Sequence, residues 1–197
     1  TRIIQSKADL VYFGGITANQ PDKVLADLRS AGYNGAIKGA DGIADDSFIK
    51  SVTDNISNKS NIYSTLVGLP GAQLTGAGAK WYAKYKTQYS SDDNEDFASF
   101  GYEAGKVAIS AIQRANKKDR EAIRQAVAAT GTNVIQGDHV LGDWKFDANG
   151  DTSLVTISVQ NLGQNPQTGQ YAWLYKGIMK YDPNTKQWTF VPQVVKP

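Results

Sequence analysis

Cysteine is absent from the 197 residues, which rules out a disulfide framework, a thiolate nucleophile and any cysteine-ligated metal centre. Histidine occurs once, as His139, with no second histidine to share a metal ion or complete a proton relay. An excess of charge of one sign is missing too. The formal net charge of +2 is too near neutral for nucleic acid or an anionic membrane to be the main partner. No apolar run approaches the roughly 18 residues needed to cross a bilayer. The opening "TRIIQSKADL" has no initiator Met and no basic-then-apolar leader, so no signal peptide is expected in this chain, and it reads as the interior of a longer sequence. What is present, 41% hydrophobic and 20% charged residues, suits a folded domain or two small lobes with cores of their own.

Along the chain, apolar spacing alternates between strand and helix. "ADLVYF" (8–13) is a short β-rich run stopped by Gly14-Gly15. Pro21 then opens a helix in which Val24, Leu25, Leu28 and Ala31 recur at helical spacing, with Gly32 as its stop. A strand around Ala36–Lys38 runs into the "GADG" loop. Strand, helix and strand within so short a span predict a parallel βαβ unit. Further helices are expected at 45–53 (Phe48, Ile49 and Val52 on one face), 79–89, 99–116 and 119–129, the last capped by Asp119. The 79–89 helix places Trp81, Tyr85 and Tyr89 on one side, and the 99–116 helix has an apolar stripe from Phe100 to Ala115. Ile62–Leu66 is a strand, 68–78 a loop or hinge, and "SSDDNED" (90–96) an acidic loop. After Gly137 the texture changes to strands at 154–160, 171–181 and 188–191, separated by turn-rich "NPQTG" and "DPNTKQ".

Few groups here could carry out a reaction. A Ser–His–Asp relay would need His139, yet no G-x-S-x-G elbow occurs. "GAQLTGAGAK" lacks the Lys-Ser/Thr ending of a phosphate-binding loop and is better read as a connector. "FDANGD" offers Asp147, Asn149 and Asp151 at the start of a calcium-loop spacing, but its glycine comes early and no Glu closes it, so a tight turn explains the same letters. "WYAKYKTQY" mixes aromatic and basic residues, but at helical spacing these separate into a packing face and a solvated back.

The strand ends are more informative. In open parallel sheets ligands collect beyond the carboxyl ends of the strands, and both "GGITAN" and "GADG" fall there. Thr17 and Asn19 offer hydrogen bonds, and Asp41 can hold an ammonium group. An Asp before Gly is more often a turn-former or cap, and the residues alone leave both uses open. A single carboxylate without a partner acid, base or nucleophile favours binding over catalysis.

The run "ADLVYFGGITANQPDKVLADLRSAGYNGAIKGADGIADDSFIK", followed by "FASFGYEAGKVAISAIQRAN" and "GDWKFDANGD", resembles the second half of the periplasmic substrate-binding proteins of branched-chain amino acid ABC transporters, over about Ala8 to Asp151. The resemblance implies a type I periplasmic-binding-protein-like α/β fold: a parallel sheet flanked by helices, with an antiparallel, strand-rich C-terminal tail. It implies that residues 1–94 are part of the second ligand-binding lobe, that 95–137 are helices which in the family pack on the first lobe, and that 138–197 return to the second lobe and form the tail. It implies no enzyme and no cofactor. The expected role is the extracytoplasmic solute-binding component of an ABC importer, closing two hinged lobes on a branched-chain or other apolar amino acid. The partners would be that ligand, a membrane permease and the missing N-terminal half, and the location periplasmic or cell-surface-anchored. The family's acid in G-x-[DE]-G, which binds the ligand's α-ammonium group, is matched by Asp41. The aromatic ahead of the Tyr-containing helix, which touches the ligand side chain, is matched by Phe97. The often aromatic residue after the double glycine is Ile16 here, and Thr17 is a neighbouring candidate. The alternatives are a related binding or sensor module for an amide or small carboxylate, or an α/β enzyme fragment whose catalytic groups lie elsewhere.

Overall fold

A computed structural model describes residues 2–89, 97–131 and 139–193; the acidic stretch 90–96 lies outside the described residues. The chain divides into two compact units, one made of Thr1–Gly68 with Thr156–Pro197, the other of Leu69–Val155.

The first unit contains α1 (Arg2–Gln5), β1 (Leu10–Phe13), α2 (Pro21–Ser30), β2 (Ala36–Gly39), α3 (Asp46–Asn55), β3 (Ile62–Val67), β4 (Thr156–Gln164), β5 (Tyr171–Asp182) and β6 (Gln187–Pro192). All six strands form one sheet in sequence order. β1, β2 and β3 are parallel, and every pairing from β3 onward is antiparallel. The expected antiparallel tail is therefore no appendage. Residues 157–161 of β4 pair directly with 63–67 of β3 and continue the parallel half.

Alternation along the strands decides which face is covered. Ile37 stands opposite Ile62 across the β2–β3 pair, and Leu162 opposite Trp173 across β4–β5; all four join one buried cluster with Leu25 and Leu28 of α2 and Phe48, Ile49 and Val52 of α3. The Phe48 ring stacks on Trp173 with centroids 5.7 Å apart, so a residue of the antiparallel half completes the floor under α3. Asp45 caps α3 by accepting the Phe48 N–H. Arg29, at the end of α2, donates to the carbonyls of Tyr33, Gly35, Asn58 and Ser60, binding the turns that precede β2 and β3. Burial lowers its pKa from the ordinary arginine value, and four acceptors meet the fork of donors that only arginine presents. In β5 a bulge falls at Lys176, since Val159 pairs with Gly177 and Gln160 with Tyr175. Gly177 has a φ of +147°, and a Cβ there would sit 2.2 Å from the Val191 carbonyl oxygen of β6.

The second unit holds α4 (Gly76–Tyr89), α5 (Ala98–Ala115) and α6 (Arg120–Ala128). The expected aromatic row on α4 is a self-stacked ladder, Trp81 to Tyr85 at 5.2 Å and Tyr85 to Tyr89 at 5.0 Å. Trp81 also meets the Tyr102 ring of α5 at 5.2 Å, so the row packs on a neighbouring helix at its first residue, although Gly78 is the one buried residue of α4. On α5 the apolar stripe is only partly used. Val107 and Ala111 are buried, whereas Ile112 is exposed. The buried seam instead includes Glu103, a polar residue that periodicity assigns to water. Its carboxylate accepts the Val140 N–H at 3.0 Å and the Trp144 Nε1–H at 3.1 Å, and pairs with His139 Nδ1. The lone histidine is thus a partnered structural residue. α6 begins as expected, with Asp119 accepting the Ala122 N–H at 2.8 Å. In "FDANGD", Asp147 Oδ1 accepts the N–H groups of Asn149 and Asp151 while Phe146 bridges Thr152, which is the tight-turn reading of those letters.

Candidate functional site

Because β1 and β2 are parallel neighbours, the loops that follow them leave the sheet side by side. After β1 come Gly14, Gly15 and Ile16, then a 3-10 turn at Thr17–Asn19. After β2 come Ala40, a 3-10 turn at Asp41–Ile43 and the Asp45 cap of α3. Several local contacts fix the two loops. Asn19 Oδ1 accepts the Ile16 N–H at 3.0 Å. Ser64 of β3 donates its hydroxyl to the Ala40 carbonyl at 3.0 Å. Ile43, almost fully buried, anchors the second turn in the core.

The loops touch at Gly42. A Cβ at this position would lie 2.6 Å from Ile16 Cγ2 and 3.0 Å from the Gly15 carbonyl oxygen, so only glycine allows the approach. The Thr17 hydroxyl closes the contact. It donates to Asp45 Oδ2 at 2.6 Å and stands 3.2 Å from the Gly42 carbonyl oxygen. Burial by itself would raise the pKa of the Asp45 carboxyl. Hydrogen bonds from Thr17, Phe48 and Ser47 outweigh that effect and hold it below the usual aspartate value.

Ile16, Thr17 and Asp41 therefore meet at one rim of the sheet. Ile16 is 54% exposed and packs its branch on Gly42, the residue next to Asp41. Among the described residues the Asp41 side chain has no hydrogen bond, ion pair or ring contact, so its carboxylate is not used up as a turn or cap. Thr17 is the opposite case, its hydroxyl already engaged within the protein. Phe97 lies in the second unit, at the N-cap of α5, 48% exposed with its ring 6.3 Å from that of Phe100. Sequence reasoning missed Asp45. Its capping role was legible in the spacing to Phe48, but its bond to Thr17 spans 28 residues and has no local signature. Chemically, the rim offers one unpartnered carboxylate beside an exposed aliphatic side chain, suited to a cationic group with an apolar neighbour. No group of three or more acidic or histidine side chains among the described residues is placed to hold a metal ion.

A mixed sheet whose parallel strands are joined by crossover helices and end in a loop-lined rim is an architecture of ligand-binding proteins, and the family comparison agrees. The family model described as periplasmic binding protein matches residues 1–160, and the chain belongs to that family, one of binding proteins and not enzymes. Among solved structures, a leucine-binding protein LivK from Thermotoga maritima is 21% identical with a TM-score of 0.70, covering 92% of this chain and 47% of that one. The branched-chain amino acid transporter substrate-binding protein LivJ from Streptococcus pneumoniae, in complex with isoleucine, is 22% identical with a TM-score of 0.63, over 85% of this chain and 44% of that one. A fatty acid ABC transporter substrate-binding protein from Thermomonospora curvata, at 17% identity and a TM-score of 0.63, covers 88% of this chain and 44% of its own. At these identities the likeness establishes the type I periplasmic-binding-protein fold. The chain spans about half the length of the structures it matches. No match was found among curated proteins. No helix among the described residues is long and apolar enough to cross a membrane.

Proposed function

We propose that this chain belongs to the solute-binding component of an ABC importer, acting outside the cytoplasmic membrane. It would bind an apolar, branched-chain-type amino acid between hinged lobes and deliver it to a membrane permease. The carrying observation is the unpartnered Asp41 carboxylate at the sheet rim beside the exposed Ile16 side chain. A carboxylate without a partner in its own chain can form a charge-assisted hydrogen bond with an ammonium group, and lobe closure would strengthen that bond by excluding water. An aliphatic neighbour suits the hydrocarbon beside such a headgroup. The leucine- and isoleucine-binding proteins of the same fold add support. Phe97 is proposed to touch the ligand side chain, on the strength of the sequence resemblance.

Calorimetric titration of the intact protein with L-isoleucine, L-leucine and L-valine tests the reading. Asp41→Asn should weaken binding at least tenfold, about 1.4 kcal/mol, because the headgroup keeps a hydrogen-bond acceptor but loses the opposing charge. Affinity equal to that of the unsubstituted protein would remove Asp41 from the site. Binding of the corresponding amide, but of no amino acid, would favour the alternative module.

A further inference from the structure

We propose that Asp45 is the positioning residue of this site: without touching the ligand, it governs ligand affinity by locking the loop after β1 onto the loop after β2. The proposal rests on Asp41 and Ile16 being the ligand contacts. The two oxygens of Asp45 serve different ends. Oδ1 accepts the Phe48 N–H and the Ser47 hydroxyl, both at 2.7 Å, and that is an ordinary helix cap. Oδ2 accepts the Thr17 hydroxyl at 2.6 Å, which capping does not require. One end of this link is rigid, since Phe48, Ile49 and Val52 root α3 in the core. The other end is the residue after Ile16, whose own N–H is held by Asn19. Ile16 is therefore fixed on both flanks and pressed on Gly42, beside Asp41. If the link is released, the 3-10 turn at Thr17–Asn19 can leave α3, and the aliphatic wall and the carboxylate lose their fixed separation. The ligand then has to order the loops on binding, and affinity falls by that cost.

The test is a double-substitution cycle in the intact protein with Thr17→Val and Asp45→Ser. Valine matches threonine in shape, and serine caps a helix about as well as aspartate but has no second oxygen for the Thr17 hydroxyl, so each change is aimed at the link and spares the fold. Amide hydrogen exchange over residues 14–19 and 40–45 reads the link directly, and calorimetric titration with L-isoleucine reads its consequence. Each single variant should raise exchange in 14–19 and weaken isoleucine binding by about fivefold to tenfold, with the double variant no worse than the weaker single. Ser47→Ala, which removes only a capping-side bond, should change neither. Unchanged exchange in Thr17→Val overturns the proposal, as do effects that multiply in the double variant. If isoleucine gives no heat with the unsubstituted protein, the amino-acid reading falls and takes the affinity role of Asp45 with it. The exchange data then still decide whether Asp45 locks the loops.

Discussion

At the scale of single residues, Asp41 and Asp45 have the same side chain in contrasting settings. Asp41 meets no partner among the described residues, while Asp45 collects three donors. Their surroundings differ because one begins a 3-10 turn at the rim and the other ends the approach to a rooted helix. A carboxyl whose pKa is lowered on folding stabilises the fold above the unfolded-state value, and that contribution disappears as pH falls through the folded-state value. The Asp45 shift is in this direction. The stability difference between the unsubstituted protein and Asp45→Asn should therefore be full near neutrality and shrink once pH drops below about 4. Thermal unfolding followed across that range would show it, and a difference independent of pH would mean the carboxylate charge is not what the three donors stabilise.

At the scale of elements, α3 follows its sequence pattern because its apolar face meets a sheet built from nearby strands, while α2 buries Leu25 and Leu28 of its expected stripe and leaves Val24 exposed. α3 buries the three residues its spacing selects. α5 does not follow its pattern in the same way, since a helix's periodicity reports an apolar face but not the neighbours that cover it. The seam of α5 that is buried holds Glu103, whose partners lie 36 to 41 residues further along the chain. This carboxylate pins the 139–144 segment to the helix. Glu103→Ala should destabilise the protein by about 3 kcal/mol in urea denaturation, because it strands the Val140 and Trp144 N–H groups away from water. Glu103→Gln, which keeps one acceptor oxygen, should cost clearly less. Equal effects of the two variants would show that packing, and not hydrogen bonding, governs this position.

At the scale of the whole molecule, the first unit is discontinuous in sequence yet continuous in structure. The chain leaves it at Gly68 and returns at Thr156, and there the Gly68 N–H donates to the Thr156 carbonyl at 2.7 Å. Exit and re-entry are thus neighbours. Replacing residues 69–155 by a short Gly/Ser linker should leave the six-stranded sheet able to fold, since a shorter loop costs less entropy to close. A cooperative thermal transition and protected β3 and β4 amides in the shortened chain would bear this out. A chain without a cooperative transition would show that the first unit depends on the second for its fold.

What the sequence determined by itself is local: the βαβ order, the capped helices, the tight turn at 147–151, and the two glycine-flanked loops at the strand ends. These depend on apolar spacing and backbone preference within a few residues, and both can be read from the letters alone. Tertiary structure decided what depends on distant partners: that β4 extends the parallel strands into one mixed sheet, that α5 buries a glutamate, that Thr17 is committed to Asp45, and that Asp41 is not committed. Each of these is settled by which groups meet after the chain has folded back on itself, and a carboxylate's role follows from the donors that reach it.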